Sequence, residues 1–528
     1  MQTVNFFAFI MVRKFALKFL IFTFFLSQSC SLEQIFDKSG SDKNFLLFEF
    51  KTSQNAALAQ DIRCEIKGDT IYAVTFSGTN LSSLKPTFLT EGGIVSVAGQ
   101  TQINEQTVQN FNLPVTYSIK AKDGSIKQFV VKFSDTSIPA LYITTNSNIA
   151  IQSKTTYVGG YLKIKDKITG DSLYGGVIEI RGRGNSTWNL PKKPYKIKLS
   201  KKASLLGMNE SKQWVLLANY ADKSLLRNKV GFELSRRIGL TYTPASKFVD
   251  VILNGKYNGN YELTEQIDVD KKKVNIAEQS TASTILPDIS GGYLVEIDGF
   301  ANTEAVFFNT PRRMAVSVHY PESDEINQEQ RNYIAAYLRN FEDRLFSNEF
   351  DNPIIGYKQY FDVDSYINYY LVNEIMGNPD LFWSTYMYKN RNNDLIYTGP
   401  VWDFDIAANN DTRIGDSVNK LMLDAAHQPK QWINRLMLDR VFRNKVRKRW
   451  NEIYNDKLNT IIPFIDILSA QMTASQQKNF IKWPILNEKV YLNLQISGSY
   501  IGEVNYLKSY LTSRISWLNT QFNGSRFD

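Results

Sequence analysis

The sequence predicts an α+β protein in which an all-β segment is followed by a mixed segment and then by a mainly helical one. Three observations support this fold class. Between about 46 and 135, apolar and polar residues alternate at the period of two that is typical of half-buried strands. Between about 138 and 275, similar runs flank one amphipathic helix, and beyond about 320 apolar residues recur at helical spacing. The chain has 528 residues, 43% of them hydrophobic, and so it can form several domains.

The first 30 residues have the pattern of an export signal rather than of a folded domain. Met11–Lys14 is a basic start, and Phe15–Leu26 is apolar apart from Lys18 and Thr23. Such a run is too short to span a bilayer as a helix but is typical of a signal peptide. Small residues before Cys30 predict cleavage there and lipidation of Cys30, although an ordinary secretory signal is the alternative. We therefore expect an exported lipoprotein of the bacterial cell envelope, attached to the membrane only by this anchor.

The composition argues against several common chemistries. Apart from Cys30 the chain contains one cysteine, Cys64, and we expect no intrachain disulfide in the mature protein. Its two histidines, His319 and His427, lie far apart in the sequence. This separation argues against a His-rich zinc site and against Ser-His-Asp hydrolysis. Carboxylates are therefore expected to carry any chemistry.

The charge distribution does not indicate a nucleic-acid partner. The formal net charge is +9, of which three positive charges lie in the predicted export signal. We interpret Lys192–Lys193 and Lys271–Lys273 as solvated loop charge, because no basic stripe is interleaved with stacking aromatics.

The segment from about 46 to 135 is predicted to form a small β-sandwich. Ile71–Phe76 is predicted to form one strand. The alternating runs Val115–Ile119 and Phe129–Phe133 flank a turn at Asp123–Gly124. Asp-Gly between alternating runs is a strong hairpin signal. The segment resembles bacterial immunoglobulin-like modules, and we expect it to act as a spacer.

The mixed segment is predicted to contain strands on both sides of one helix. The helix is expected to begin near Asp222 or Ser224 and to end at Gly239, and a turn is expected at Asn254–Gly255. The predicted strands are Leu141–Ile143, Tyr161–Ile164, Val177–Arg181, Tyr195–Leu199, Trp214–Ala218, Phe248–Leu253 and Gly259–Leu263.

The last part of the chain is predicted to be helical, with long amphipathic helices from 430 to 520. Apolar residues recur at helical spacing over Ile334–Leu345 and over Ile367–Ile375, and the second of these helices is expected to end at Gly377. One of these long helices is expected around Trp432–Tyr454.

Two acidic motifs are the strongest functional signals. Asp380 lies in a Gly/Asn/Pro turn that ends a helix, whereas Asp403 and Asp405 flank Phe404 after an apolar strand, with a short hairpin expected in between. This order resembles the one that protein kinases use to arrange a base and a magnesium ligand around ATP. We therefore predict Asp403 as a metal ligand, Asp405 as a second ligand, and Asp380 as the group that orients or deprotonates an attacking hydroxyl. The alternative for Asp403 and Asp405 is that they cap a turn. The alternative for Asp380 is that it only forms a hydrogen bond within its own loop.

Several further motifs, in order, resemble the spore coat protein H (CotH) kinase-like family over roughly residues 138–520. The resemblance implies an atypical protein-kinase fold, with a small lobe at about 138–275 and a helical large lobe at about 320–520. It also implies transfer of phosphate from ATP to Ser or Thr of a protein substrate with Mg²⁺ or Mn²⁺. The motifs are Arg183–Trp188, Lys193–Leu199, Trp214–Tyr220, Ser224–Asn228, Leu263–Ile267 and Gly399–Asp405.

Basic residues near these motifs are candidate phosphate ligands. Lys196 and Lys198 share one face of a predicted strand, so that either can reach a phosphate, with Glu233 as a pairing partner. Solvent-facing lysines are the alternative. Arg183, with the amides of its Gly182–Asn185 turn, is a second candidate.

Two other residues have two possible roles each. Arg227, at the start of its helix, is predicted to contact phosphate or to pair between the lobes. Glu265, where a strand leads into the lobe connection, is predicted to lie near an adenine or to form a structural salt bridge.

One departure from kinases leaves alternatives open. Kinases usually carry a metal-binding Asn about five residues beyond the catalytic Asp. Here Leu381–Thr385 offers only the hydroxyls of Ser384 and Thr385. Export also removes the protein from cytoplasmic ATP. A pseudokinase acting as a surface binding or assembly protein is therefore the first alternative, and a carbohydrate-active enzyme with an Asp pair is the second.

Overall fold

The computed structural model describes residues 40–58, 61–75, 79–135, 138–165 and 171–528. The predicted export signal, including Cys30, lies outside these residues. The chain divides into two compact units, Met1–Thr136 and Ser137–Asp528. Across the described residues, no helix combines the length and the apolarity that a membrane span requires.

The first unit is built from strands in its described part. A three-stranded sheet has the order β2-β1-β5, and a six-stranded sheet has the order β3-β4-β9-β8-β6-β7. Phe48, Tyr117 and Phe129 belong to one apolar core that draws on both sheets. The predicted hairpin at Asp123–Gly124 is present, with Gly124 at φ +84° joining antiparallel β8 and β9. The strands are Phe45–Phe50 (β1), Ile62–Arg63 (β2), Glu65–Lys67 (β3), Thr70–Thr75 (β4), Thr87–Thr90 (β5), Ile94–Val97 (β6), Gln100–Thr101 (β7), Val115–Lys120 (β8) and Ile126–Asp135 (β9).

The second unit begins with a closed barrel in the order β10-β11-β12-β13-β14-β16-β15. All seven strands predicted for the mixed segment are present. That they close into a barrel was not predicted. The closure depends on parallel pairing of β10 with β15. Side chains alternate as expected along β13, where Ile197 is buried inside the barrel and Lys196 faces outward. The strands are Ala140–Thr145 (β10), Val158–Lys165 (β11), Ser172–Gly182 (β12), Tyr195–Ala203 (β13), Ser211–Leu217 (β14), Ser246–Leu253 (β15) and Lys256–Glu265 (β16).

The helix between β14 and β15 is Arg227–Ile238 (α1), which begins later than predicted. The Asp222 carboxylate accepts hydrogen bonds from the backbone N–H groups of Ser224 at 3.0 Å and Arg227 at 2.8 Å. Leu225 also has φ +60°, which is incompatible with a right-handed helix. The helix ends at Gly239, at φ +88°, as predicted.

A second sheet has the order β18-β19-β17-β20-β21 and is antiparallel throughout. Its β20–β21 pair is the hairpin predicted between Asp380 and Asp403. The other three strands come from the stretch between the predicted lobes, for which the sequence had indicated no elements. The strands are Tyr293–Ile297 (β17), Phe307–Asn309 (β18), Ala315–Tyr320 (β19), Thr385–Lys389 (β20) and Ile396–Thr398 (β21).

The remaining helices pack on one large apolar core. The prediction of one helix over Trp432–Tyr454 is wrong. The Asp439 carboxylate accepts a hydrogen bond from Val441 N at 2.8 Å and so starts a new helix there. The helices are Gln328–Leu345 (α2), Val363–Met376 (α3), Met422–Ala425 (α4), Gln431–Leu436 (α5), Arg440–Tyr454 (α6), Ile461–Gln471 (α7), Thr473–Lys482 (α8) and Tyr500–Phe522 (α9).

Two lysines that were interpreted as solvated loop charge are buried. The Lys192 ammonium donates to Asn260 O and, at 3.0 Å, to Asn479 Oδ1, and it thereby links the barrel to α8. Burial lowers the pKa of Lys192 to about 7. Lys273 donates to Ser211 Oγ at 2.8 Å.

Candidate active site

The loop that carries Asp403 and Asp405 is held by the residue between them. Phe404 is fully buried, and its backbone N–H donates to Asn228 Oδ1 on α1 at 2.7 Å. Its ring packs edge-to-face on Phe232, one turn further along the helix. Asp403 itself has φ +66°, a left-handed conformation that is uncommon outside glycine and clusters at functional sites.

The Asp403 and Asp405 carboxyl groups interact closely enough for each to shift the pKa of the other. Asp405 is buried, and loss of hydration followed by the charge of Asp403 raises its pKa well above the ordinary range. Asp403 is an exposed residue. Loss of hydration, followed by the charge of Asp380, raises the pKa of Asp403 to about 6. Two carboxylates in such contact require a shared proton or a cation between them.

Asp380 belongs to the same site. Helix α3 ends at Gly377, as predicted, and Asp380 N then donates to Asn378 Oδ1 at 3.1 Å. The Asp380 carboxylate lies 3.3 Å from Arg413 Nη2. Because its charge is the second-largest cause of the raised Asp403 pKa, the structure brings the three predicted acidic residues together.

Arg183 lies beside these acids. Its guanidinium carbon is 5.4 Å from the centre of the Trp402 ring, and its charge interacts with Asp403. Burial lowers the pKa of Arg183, and the negative charges of Asp403 and Glu296 oppose that change. The structure thus assembles a cation, three carboxylates and aromatic side chains in one place.

Lys196 is half-buried, and the charge of Arg183 contributes to lowering its pKa. Burial, followed by the charge of Arg181, lowers the pKa of Lys196 to about 8, and the charge of Glu322 opposes that change. Lys196 therefore lies at the margin of the site.

Lys198 lies on the same outward face of β13 as Lys196, as predicted, but it has a partner of its own. Lys198 is 41% exposed and pairs with Glu179 of the adjacent strand at 3.5 Å. The predicted pairing of these lysines with Glu233 is wrong, because Glu233 binds Arg236 and Arg237 of its own helix at 3.2 and 2.8 Å.

Arg227 is fully buried behind the acidic loop. Its Nη1 lies 2.5 Å from Asp222, and its other nitrogens donate to the carbonyls of Ala407 at 3.0 Å and Ala408 at 3.3 Å. It thereby ties the chain after Asp405 to α1, which fits the predicted pairing role, whereas a contact with phosphate stays a prediction.

Glu265 is also buried, and its bonds are internal. Its carboxylate accepts from Asn209 N at 3.0 Å, Ala245 N at 3.1 Å and Tyr242 Oη at 3.0 Å. These partners are neutral and hold the end of β16 in place. A contact with adenine stays a prediction.

Three residues of the site were missed by the sequence reasoning. His319 Nε2 lies 2.6 Å from Glu296 Oε2, and the His319 ring is 5.4 Å from the ring of Tyr386. Burial alone would lower the pKa of His319, but the hydrogen bond and charge of Glu296 outweigh it and raise that pKa. Glu296 also contributes to the raised pKa of Asp403. A lone acid inside the apolar run Tyr293–Ile297 was the available signal.

The donor set limits the kind of metal site that can form. Within the described ranges, no cluster of three or more His, Cys, Asp or Glu side chains has a metal-binding arrangement. The Thr385 hydroxyl already bonds Leu381 O at 3.1 Å. Asp403 and Asp405 together fit Mg²⁺ or Mn²⁺, which are commonly held by one or two carboxylates with phosphates and water completing the shell.

The site therefore consists of an acidic pair on a loop and an aspartate that follows a helix, next to a closed barrel. The chain belongs to the CotH kinase protein family, because the family model matches residues 180–518, more than half of the chain. A search of curated proteins found no match.

One solved structure that the chain resembles is a Bacteroides thetaiotaomicron protein named provisionally as a glycoside hydrolase. The identity is 12% over 49% of this chain and 62% of that protein, at a TM-score of 0.17. The chain thus covers less than two thirds of that protein's length, and a likeness at this level carries no argument about fold or activity.

Proposed function

We propose that this protein is an atypical protein kinase that transfers phosphate from ATP to Ser or Thr of a protein substrate with Mg²⁺ or Mn²⁺. One observation carries the proposal: the Asp403 and Asp405 carboxyl groups lie close enough to shift each other's pKa, and the charge of Asp380 acts on both. Kinase chemistry needs this combination, because most of the catalysis is positioning and neutralisation of phosphate charge.

Each residue has a distinct role in the proposed reaction. Asp403 and Asp405 would hold the divalent cation, which supplies positive charge to the phosphates of ATP when bound. Asp380 orients the substrate hydroxyl and accepts its proton as the hydroxyl oxygen bonds to the γ-phosphorus and ADP leaves. Arg183, beside Asp403, adds a fixed cation to the phosphate side of the site.

The rest of the chain is assigned by the same proposal. The barrel and the helical part correspond to the small and large lobes of an atypical kinase. The first unit acts as an immunoglobulin-like spacer between this domain and a lipid anchor at Cys30. The protein is then exported and tethered to the cell envelope, and its substrate is a protein that reaches that compartment.

A second candidate function is nucleotide binding without transfer. Two observations favour it: no Asn follows Asp380 at kinase spacing, and the Thr385 hydroxyl is already bonded inside the protein. A pseudokinase of this kind would bind ATP and metal and act as a surface binding or assembly protein.

The two candidates are separated by one set of measurements. Purified protein is incubated with γ-labelled ATP and Mn²⁺, and both autophosphorylation and labelling of a general acceptor such as casein are followed. Asp403→Asn and Asp380→Asn should abolish labelling, whereas the matched surface variant Asp466→Asn should retain it, because Asp466 is exposed and pairs with Lys508 at 2.6 Å. A melting shift with Mn²⁺ and ATP but no labelling would support the pseudokinase. Labelling that persists in both site variants would contradict these residue assignments.

A further inference from the structure

Arg413 is fixed in orientation by a buried carboxylate. Its Nε lies 3.0 and 2.9 Å from the two oxygens of Asp411, and its Nη2 lies 2.6 Å from Oδ2. Asp411 is only 1% exposed, and it also accepts a bond from Arg413 N at 2.8 Å. A two-pronged contact of this kind fixes both the position and the plane of a guanidinium group.

The fixed guanidinium points one N–H at Asp380. The same Nη2 lies 3.3 Å from Asp380 Oδ2. Both side chains remain accessible, at 38% for Arg413 and 32% for Asp380, so this contact borders the open side of the site. Among the described residues, Arg413 is the only side chain that donates a hydrogen bond to the Asp380 carboxylate.

The contact is not needed to hold the two backbone segments. Two hydrogen bonds hold the turn after α3. Asp380 N donates to Asn378 Oδ1 at 3.1 Å, and Trp383 N donates to Asp380 O at 2.8 Å. The loop that carries Arg413 is held by a hydrogen bond that Thr412 N donates to Leu492 O at 2.9 Å. What the ion pair controls is therefore the direction of the Asp380 carboxylate.

We propose that Arg413, anchored by Asp411, is a positioning residue for Asp380. The proposal rests on the proposed kinase function and adds to it a residue pair outside the acidic motifs. Arg413 opposes the repulsion between Asp380 and the Asp403–Asp405 pair and holds the Asp380 carboxylate where a substrate hydroxyl approaches. Its loss should impair the transfer step and leave binding of ATP and metal intact.

The test compares Arg413→Ala and Asp411→Asn with the unaltered protein in steady-state phosphate transfer. We expect kcat to fall by about 10- to 100-fold in Arg413→Ala while KM for ATP changes by less than about twofold. The melting shift with Mn²⁺ and ATP should be retained. Millimolar guanidinium should restore part of the lost kcat, because a free cation can occupy the vacated position. Asp411→Asn should lower kcat less, and the double variant should be no worse than Arg413→Ala, since the two residues act as one unit.

Arg526→Ala is the matched control. Arg526 also makes a two-pronged contact, with Asp424 at 2.6 and 2.7 Å, but on the surface and apart from the acidic residues, and its loss should leave kcat unchanged.

The possible failures are distinguishable. Absence of transfer by the unaltered protein would overturn the proposed function and this inference with it. Transfer by the unaltered protein with an unchanged kcat in Arg413→Ala would overturn the positioning role alone. A lower kcat that guanidinium does not restore, accompanied by a lower melting temperature, would show a structural role and would also overturn it.

Discussion

The ring of Phe404 lies directly against the backbone of Gly231. A Cβ atom at Gly231 would stand 2.3 Å from Phe404 Cδ2, closer than any real contact. Asn228, one turn earlier on α1, accepts the Phe404 N–H at 2.7 Å. Helix α1 therefore fixes the backbone between Asp403 and Asp405 from two directions.

Gly231→Ala should disturb the acidic loop through Phe404. Because the displaced neighbour is a buried aromatic ring, we expect a loss of about 1–3 kcal/mol in the free energy of unfolding and weaker Mn²⁺ binding. Urea unfolding and calorimetric titration with Mn²⁺ measure the two effects. Arg236→Ala, on the exposed side of the same helix, is the control. Equal stability and equal Mn²⁺ affinity in Gly231→Ala would contradict this packing argument.

Asp405→Asn should stabilise the metal-free protein at pH 7. The folded-state pKa of Asp405 is raised, so the native protein retains a proton that the unfolded chain has lost, and stability falls as pH rises through that interval. An amide removes this penalty, with a gain on the order of 1 kcal/mol. The test is urea unfolding at pH 7 in the presence of a chelator, with Asp466→Asn alongside. A clear loss of stability in Asp405→Asn would show that the Asp405 carboxylate does not destabilise the folded protein.

Binding of Mn²⁺ should strengthen as pH rises through about 6. The pKa of Asp403 in the metal-free protein is raised to about 6, and a ligand carboxylate must lose its proton when the cation binds. Calorimetric titrations in two buffers of different ionisation enthalpy should therefore detect more proton release near pH 6 than near pH 8, because Asp403 has already lost its proton at the higher pH. An affinity that is constant between pH 5 and 8 would contradict the raised pKa.

Glu296→Gln should lower the pKa of His319. Burial acts to lower that pKa, and the hydrogen bond and charge of Glu296 reverse the effect. Charged His319 thus contributes stability that is complete below its unfolded pKa and is lost as pH rises through the raised folded pKa. The chain has only two histidines, so ring signals in an NMR titration can be assigned by a single His427→Gln variant. A His319 titration that is the same in Glu296→Gln would disprove the coupling.

Local signals in the sequence predicted the elements that depend on a few neighbouring residues. The turn at Asn254–Gly255 joins β15 to β16 with both residues at positive φ, and Gly377 ends α3 in a left-handed conformation. The juxtaposition of Asp380 and Asp403 was also predicted, because the order of loop, hairpin and Asp-Phe pair is itself a topological pattern.

Features that depend on distant pairings were not predicted. Closure of the barrel requires Ala140 of β10 to pair with Asp250 of β15, and no local periodicity encodes such a contact. Glu296 and His319 meet only because β17 and β19 are adjacent in the second sheet. Lys192 was expected to be solvated because its buried acceptor Asn479 lies on a helix far along the chain.

The most direct test of the central claim is a crystal structure with Mn²⁺ and a non-hydrolysable ATP analogue, examined by anomalous scattering. Our account predicts one manganese peak about 2.0–2.3 Å from a carboxylate oxygen of Asp403 and of Asp405, with phosphate oxygens completing its shell. Crystals that contain the bound analogue but show no manganese peak between the two carboxyl groups would contradict it.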